Sequence, residues 1–188
     1  MRKNSCFWGT AIFAGTLFLA ACSAPKAFYA PTVPAATTEA CAFVKINRIL
    51  SPQYLGQRQI VYRSSEGTLH SSSQNCWAEP LARTLDRQLP ERVSLIVKNR
   101  PLKTFKSVDV SISRLDGVLD DSVVLAAGIK LNGLKNDAGD SQAPDFYFVG
   151  KTVPVKTGVG NDKFADYSAA VSEAMEALAQ AVANIVVK

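Results

Sequence analysis

One histidine, His70, stands among 188 residues. That excludes a multi-histidine metal site and leaves a histidine-based catalytic triad a single place to form. His70 lies beside Ser71, Ser72 and Ser73 on a predicted strand end, where base and nucleophile side by side do not reach the usual geometry. The four cysteines include no C-x-x-C pair, so the chain lacks a redox motif. After residue 22 no segment approaches the roughly 20 apolar residues that a helix needs to cross a bilayer. Gly150-Lys151-Thr152 resembles the end of a phosphate-binding loop. The motif fails, because Asp145 stands where it needs glycine and Val153-Pro154-Val155 follows where it needs a helix. Asp120-Asp121 and the acids between Asp137 and Asp145 lack the ligand spacing of a calcium loop and read as solvated turns. Nothing here assembles an active site. The expectation is a non-enzyme with no metal and no cofactor.

The first residues are of a different kind. Arg2 and Lys3 form a short positive region, and the apolar stretch from Phe7 to Leu19 is too short to span a membrane. Leu19-Ala20-Ala21-Cys22 then resembles the bacterial lipobox at every position. Residues 1–21 are therefore read as a lipoprotein signal peptide, and Cys22 as the acylated (palmitate-type) N-terminus. Each buried methylene contributes roughly 0.8 kcal/mol, so several acyl chains give essentially permanent attachment. Ser23 follows where an aspartate would resemble an inner-membrane retention signal, which favours the inner leaflet of the outer membrane. Loss of Arg2 and Lys3 lowers the formal net charge from +5 to +3. With no basic stripe interleaved with aromatics, that argues against nucleic acid.

Cys6 leaves with the leader, and Cys41 and Cys76 remain. Two thiols in an oxidising compartment invite one disulfide, and closing that loop would contribute roughly 3–4 kcal/mol. Two separate buried thiols packing as small hydrophobes are an equal alternative.

Residues 22–38 are rich in Ala, Pro and Thr and read as a lipid-anchored tether, in which Phe28-Tyr29 could add a short strand. Residues 39–188 read as one domain: 47% hydrophobic and 20% charged residues is a globular balance, and the length suits a single core. Strands are predicted over Cys41–Leu50, Gln59–Arg63 and Thr68–Ser71, with Glu66-Gly67 as a hairpin turn. Trp77, Leu81, Leu85 and Leu89 recur every four residues, an amphipathic helix that Ser73 or Asn75 can cap and Pro90 stops. Ser94–Lys98 reads as a buried strand. The following loop carries Lys98, Arg100, Lys103 and Lys106 and no acid; it could meet lipid phosphates or an acidic partner, although a solvated loop is the commoner reading. Further strands are expected from Val108 to Ser113, Val123 to Leu131 and Phe146 to Val155, with Asp116-Gly117 and Asp120-Asp121 in a turn. Asn161 or Asp162 caps a last helix, on which Phe164, Tyr167, Val171, Met175, Leu178, Val182 and Ile185 step by three and four. The fold class is α+β, a largely antiparallel or mixed sheet with two main amphipathic helices, in the order βββ-α-ββββ-α.

Pro52-Gln53-Tyr54-Leu55, Gln59-Ile60-Val61-Tyr62-Arg63 and Trp77-Ala78-Glu79-Pro80-Leu81 together resemble the auxiliary lipoproteins of ABC-type transport systems, the group of paraquat-inducible protein C. Gly56-Gln57-Arg58 departs from the Asp-Arg-Pro usual there, and Asn75-Cys76 precedes the tryptophan. The resemblance implies a non-catalytic accessory lipoprotein. Its partners would be an MCE-domain protein and a membrane permease, of ABC or paraquat-inducible type, that move phospholipid or similar hydrophobic compounds between the two membranes. Tyr54, Leu55, Arg63 and Trp77 carry the motif, as hairpin–helix core or as partner contact. Two other readings stay open: a lipid- or ligand-binding lipoprotein acting alone, and a structural lipoprotein of the cell envelope. Self-association is not decided by the residues.

Overall fold

The computed structural model describes residues 26–32, 44–98, 100–103, 105, 107–133, 143–156 and 162–187. The leader, Cys22, Cys41, Lys106 and Asn161 lie outside the described residues. In chain order come β1 (Ala27–Tyr29), β2 (Ile46–Leu50), a 3-10 turn (Gln53–Gly56), β3 (Gln59–Arg63) and β4 (Leu69–Trp77). Helix α1 (Leu81–Val97), β5 (Ser107–Gly117), β6 (Ser122–Asn132), β7 (Asp145–Pro154) and α2 (Lys163–Val186) complete the fold. It is the expected α+β class, divided between two sheets of order β1-β4-β3 and β2-β5-β6-β7. The hairpins β3–β4, β5–β6 and β6–β7 are antiparallel, whereas β1 joins β4 and β2 joins β5 in parallel.

Period-two patterning decides which side of the larger sheet is buried. Val123, Leu125, Ala127, Ile129 and Leu131 of β6 and Val108, Val110 and Ile112 of β5 point inward. The helices cover that side: α2 packs over β6 and β7, and α1 packs against α2. Helix α2 presents Tyr167, Val171, Met175, Leu178 and Val182, with Ala174, Ala179 and Ala183 allowing close approach. Asp162 caps it, accepting from the Phe164 and Ala165 amides at 3.1 and 3.2 Å.

Three expectations are corrected. Pro90 does not stop the first helix but lies inside it, so Ser94–Lys98 is not a strand: Ser94–Val97 forms its last turn and Lys98 its C-cap. A proline in a helix interior costs about 3 kcal/mol. The four-residue apolar stripe Leu81, Leu85, Leu89 nevertheless continues to Val93 and Val97, both fully buried. Two valines buried at roughly 1.5 kcal/mol or more each offset the loss. Ser73, Asn75 and Trp77 belong to β4 rather than to the helix start, and Pro80 occupies the N-cap position. The third correction concerns Asp116-Gly117, which ends β5 instead of forming the turn. A β-carbon on Gly117 would lie 1.8 Å from the Ser122 carbonyl oxygen, so only glycine fits where the hairpin closes. The remaining strands agree with expectation to within a few residues, except that β4 runs on to Trp77 and β2 is seen from Ile46.

Candidate functional site

A bulge in β5 between Ile112 and Arg114 shifts the phase of the strand. Beyond it Leu115, Asp116 and Gly117 are all buried, and the Asp116 side chain has no exposed area. A buried carboxylate needs partners. Asp116 Oδ1 accepts from Arg63 Nε at 2.5 Å and from Arg114 Nε at 3.0 Å, while Oδ2 accepts from Tyr54 Oη at 2.8 Å and Arg63 Nη2 at 3.2 Å. Tyr54 Oη in turn accepts the Leu115 amide at 3.1 Å. Close by, Tyr167 Oη of α2 accepts the Gly117 amide at 3.0 Å and donates to the Val61 carbonyl at 3.2 Å. One carboxylate thus ties the 3-10 turn and β3 to β5, beside a tyrosine that brings in α2.

The electrostatics suit a permanent clasp. Burial pushes the Asp116 carboxyl up, but hydrogen bonds from Arg63, Tyr54 and Arg114 outweigh it and hold the group below its ordinary value. Burial pushes the Tyr54 phenol up to about 12, opposed by the Leu115 amide and reinforced by Asp116, so Tyr54 remains a donor at neutral pH. Tyr167 is raised as well, again chiefly by burial.

The residues singled out from sequence divide in two. Tyr54 and Arg63 converge on Asp116, and Leu55 and Trp77 are 3% exposed in the core beside them. Of the cationic loop, Arg100 is exposed. Lys103 sits 5.9 Å from the Tyr147 ring centroid, and its amide donates to the Val186 carbonyl at 2.8 Å. The loop is thereby tied to the end of α2. Cys76 is buried and has no disulfide partner among the described residues, which do not include Cys41. His70 stacks on Tyr62 with centroids 5.7 Å apart, and Gly150-Lys151-Thr152 lies within β7.

A surface that sequence reading did not single out is the outer side of the larger sheet. Here β6 presents Ala126, Gly128 and Lys130, and β5 presents Asp109, Ser111 and Ser113. These residues floor an open groove of about 580 Å³ between Leu50 on β2 and Phe146 and Phe148 on β7. Phe148 is 90% exposed and Phe146 64%. The alternation of β7 held the signal, since Phe146 and Phe148 share a face with Gly150 and Thr152, opposite buried Val153. Lys130 lies 5.4 Å from the Phe146 ring centroid. Asp109 accepts from Asn47 Nδ2 and Asn132 Nδ2, both at 2.9 Å, and these bonds lower its pKa. Chemically the groove offers an exposed apolar surface beside the charged side chains of Arg48, Asp109 and Lys130.

The sequence model of the ABC-type transport auxiliary lipoprotein component family matches residues 27–183. Among solved structures, an uncharacterized protein superposes with a TM-score of 0.58 at 17% identity, covering 86% of this chain and 99% of its own. Protein XCC0632 from Xanthomonas campestris gives a TM-score of 0.52 at 16% identity, covering 83% of this chain and 91% of its own. At such identities the superpositions speak for the fold. No curated protein matches the chain.

Proposed function

The chain belongs to the ABC-type transport auxiliary lipoprotein component family, and from that membership we propose that it is a non-catalytic docking subunit of an envelope lipid-transport system. In this reading Cys22 carries the lipid and holds the protein at the inner leaflet of the outer membrane. The folded domain receives an MCE-domain protein, which with a membrane permease moves phospholipid or similar hydrophobic compounds between the membranes. The match across residues 27–183 carries the proposal. Two observations support it. Among the described residues no helix is long and apolar enough to cross a membrane, which suits attachment by a lipid. The Asp116 clasp occupies Tyr54 and Arg63 inside the fold, so the outer face bearing Leu50, Phe146 and Phe148 is the better candidate for the partner's apolar surface.

Affinity capture of the lipidated protein from crosslinked cells tests the proposal. MCE-type and permease components are expected among the captured proteins, with recovery lowered by Phe148→Ser and by Cys22→Ala. Capture without any transport component refutes the reading. The groove also favours a second reading, a lipoprotein that holds lipid by itself, because its volume falls in the range of ligand sites. Lipid extracted stoichiometrically from protein purified without partners would support that alternative.

A further inference from the structure

Strand β1 begins at Ala27, five residues beyond Cys22. A fully extended chain covers at most roughly 3.6 Å per residue, so Ala27 stays within about 18 Å of the acylated cysteine by any path. A folded chain of this size is roughly 40 Å across. The free part of the tether is therefore shorter than the domain it holds.

The attachment point is firmly built into the fold. Ala27, Phe28 and Tyr29 pair in parallel with Asn75, Cys76 and Trp77 of β4. The Ala78 amide donates to the Tyr29 carbonyl at 2.7 Å, and Tyr29 Oη donates to the Asp162 cap of α2 at 2.9 Å. Beyond the strand, the Thr32 amide donates to Ser172 Oγ at 3.0 Å, and buried Arg92 donates to the Thr32 carbonyl. Lengthening the tether would require undoing these contacts with β4 and both helices.

The side chains at this edge suit a headgroup layer. Phe28 is 59% exposed on the edge strand of the smaller sheet, with the Arg58 guanidinium 5.8 Å from its ring centroid. Arg58 is held by a bond to the Ala78 carbonyl at 2.7 Å, and Lys26 is exposed immediately before the strand. An aromatic ring with cations beside it partitions to the boundary between acyl chains and phosphates.

We infer that the β1 edge of the smaller sheet, through Phe28, Arg58 and Lys26, rests on the surface of the membrane that holds the Cys22 lipid. The inference builds on the reading of Cys22 as the anchor. The domain is then a fixed platform at the membrane, unable to swing across the periplasm toward its partner. The partner must come to it.

Benzoylphenylalanine in place of Phe28, or of Lys26 should the first variant fold poorly, tests this in the lipidated protein. The protein is reconstituted in vesicles of phosphatidylethanolamine and phosphatidylglycerol, and position 148 serves as the comparison. Intact mass first reports whether Cys22 is acylated, and after illumination it reports lipid adducts. Adducts several-fold more frequent at the β1 edge than at position 148 are expected. Arg58→Gln should lower them by roughly five-fold, the worth of one cation at an anionic surface. A Gly/Ser insert of about twenty residues after Ser23, adding roughly 25 Å of reach, should bring them down to the level at position 148. Equal adducts at the two positions, or adducts indifferent to the insert, overturn the inference while leaving the anchor intact. An unmodified Cys22 overturns the anchor itself.

Discussion

Replacing Asp116 by asparagine removes one negative charge while keeping the outline of the side chain. The carboxylate is fully buried and holds Arg63, Arg114 and Tyr54. Breaking one side of a buried ion pair costs about 3–5 kcal/mol. Arg63 and Arg114 retain 27% and 39% of their side-chain exposure, so water can take up part of the charge that is left over. The expected loss for Asp116→Asn is therefore about 2 kcal/mol near neutral pH, the scale of a charge-assisted hydrogen bond. Its pH dependence has a definite sign. The folded protein holds the Asp116 carboxyl below its ordinary value, so it binds that proton less tightly than the unfolded chain does. The stabilisation is fully present above the unfolded pKa of about 3.9 and is lost as pH falls through the folded value. Urea unfolding of the mature chain with Cys22→Ser, followed by circular dichroism across that range, measures the effect. The gap between parent and Asp116→Asn should be widest near neutral pH and should close in acid. A gap below about 0.5 kcal/mol near neutrality, within the range of ordinary surface changes, refutes the clasp. So does a gap that does not change with pH.

The remaining expectations use the same unfolding assay. Tyr167→Phe should cost about 1–2 kcal/mol, because the Gly117 amide and the Val61 carbonyl lose their partner in the interior. Gly117→Ala should cost about 3 kcal/mol or prevent folding, since the added methyl meets backbone in the hairpin. Pro90→Ala should raise stability by about 1–2 kcal/mol, as it restores a donor inside α1. Phe148→Ser should leave stability within about 0.5 kcal/mol, because the ring lies in solvent, yet lower partner capture.

Local pattern made much of this fold legible. The Gln59–Arg63 strand, the Asp162 cap and the stepping of α2 follow from periodicity and capping, which act over a few residues. Pro90 misled because a strong local breaker outweighed a stripe that ran through it to Val93 and Val97, and tertiary burial decided the outcome. Asp116 was hidden for another reason. Aspartate before glycine is a turn signal, and the bulge that sets Asp116 opposite Val124, out of step with inward-facing Val108, Val110 and Ile112, leaves no mark in the alternation upstream. Tyr54 and Arg63 stood out from the family pattern, yet the carboxylate they share lies more than fifty residues further on, and that pairing is visible only once the two sheets meet. The Phe146 and Phe148 pair was present in the alternation of β7, but only the structure shows that nothing among the described residues covers it.

Photocrosslinking in living cells from benzoylphenylalanine at position 148, with bound proteins identified by mass spectrometry, tests the docking role most directly. The account predicts adducts with an MCE-domain component of an envelope transporter, lost when Cys22→Ala removes the site of the lipid. Adducts confined to other envelope proteins, or unchanged in the Cys22→Ala variant, would contradict it.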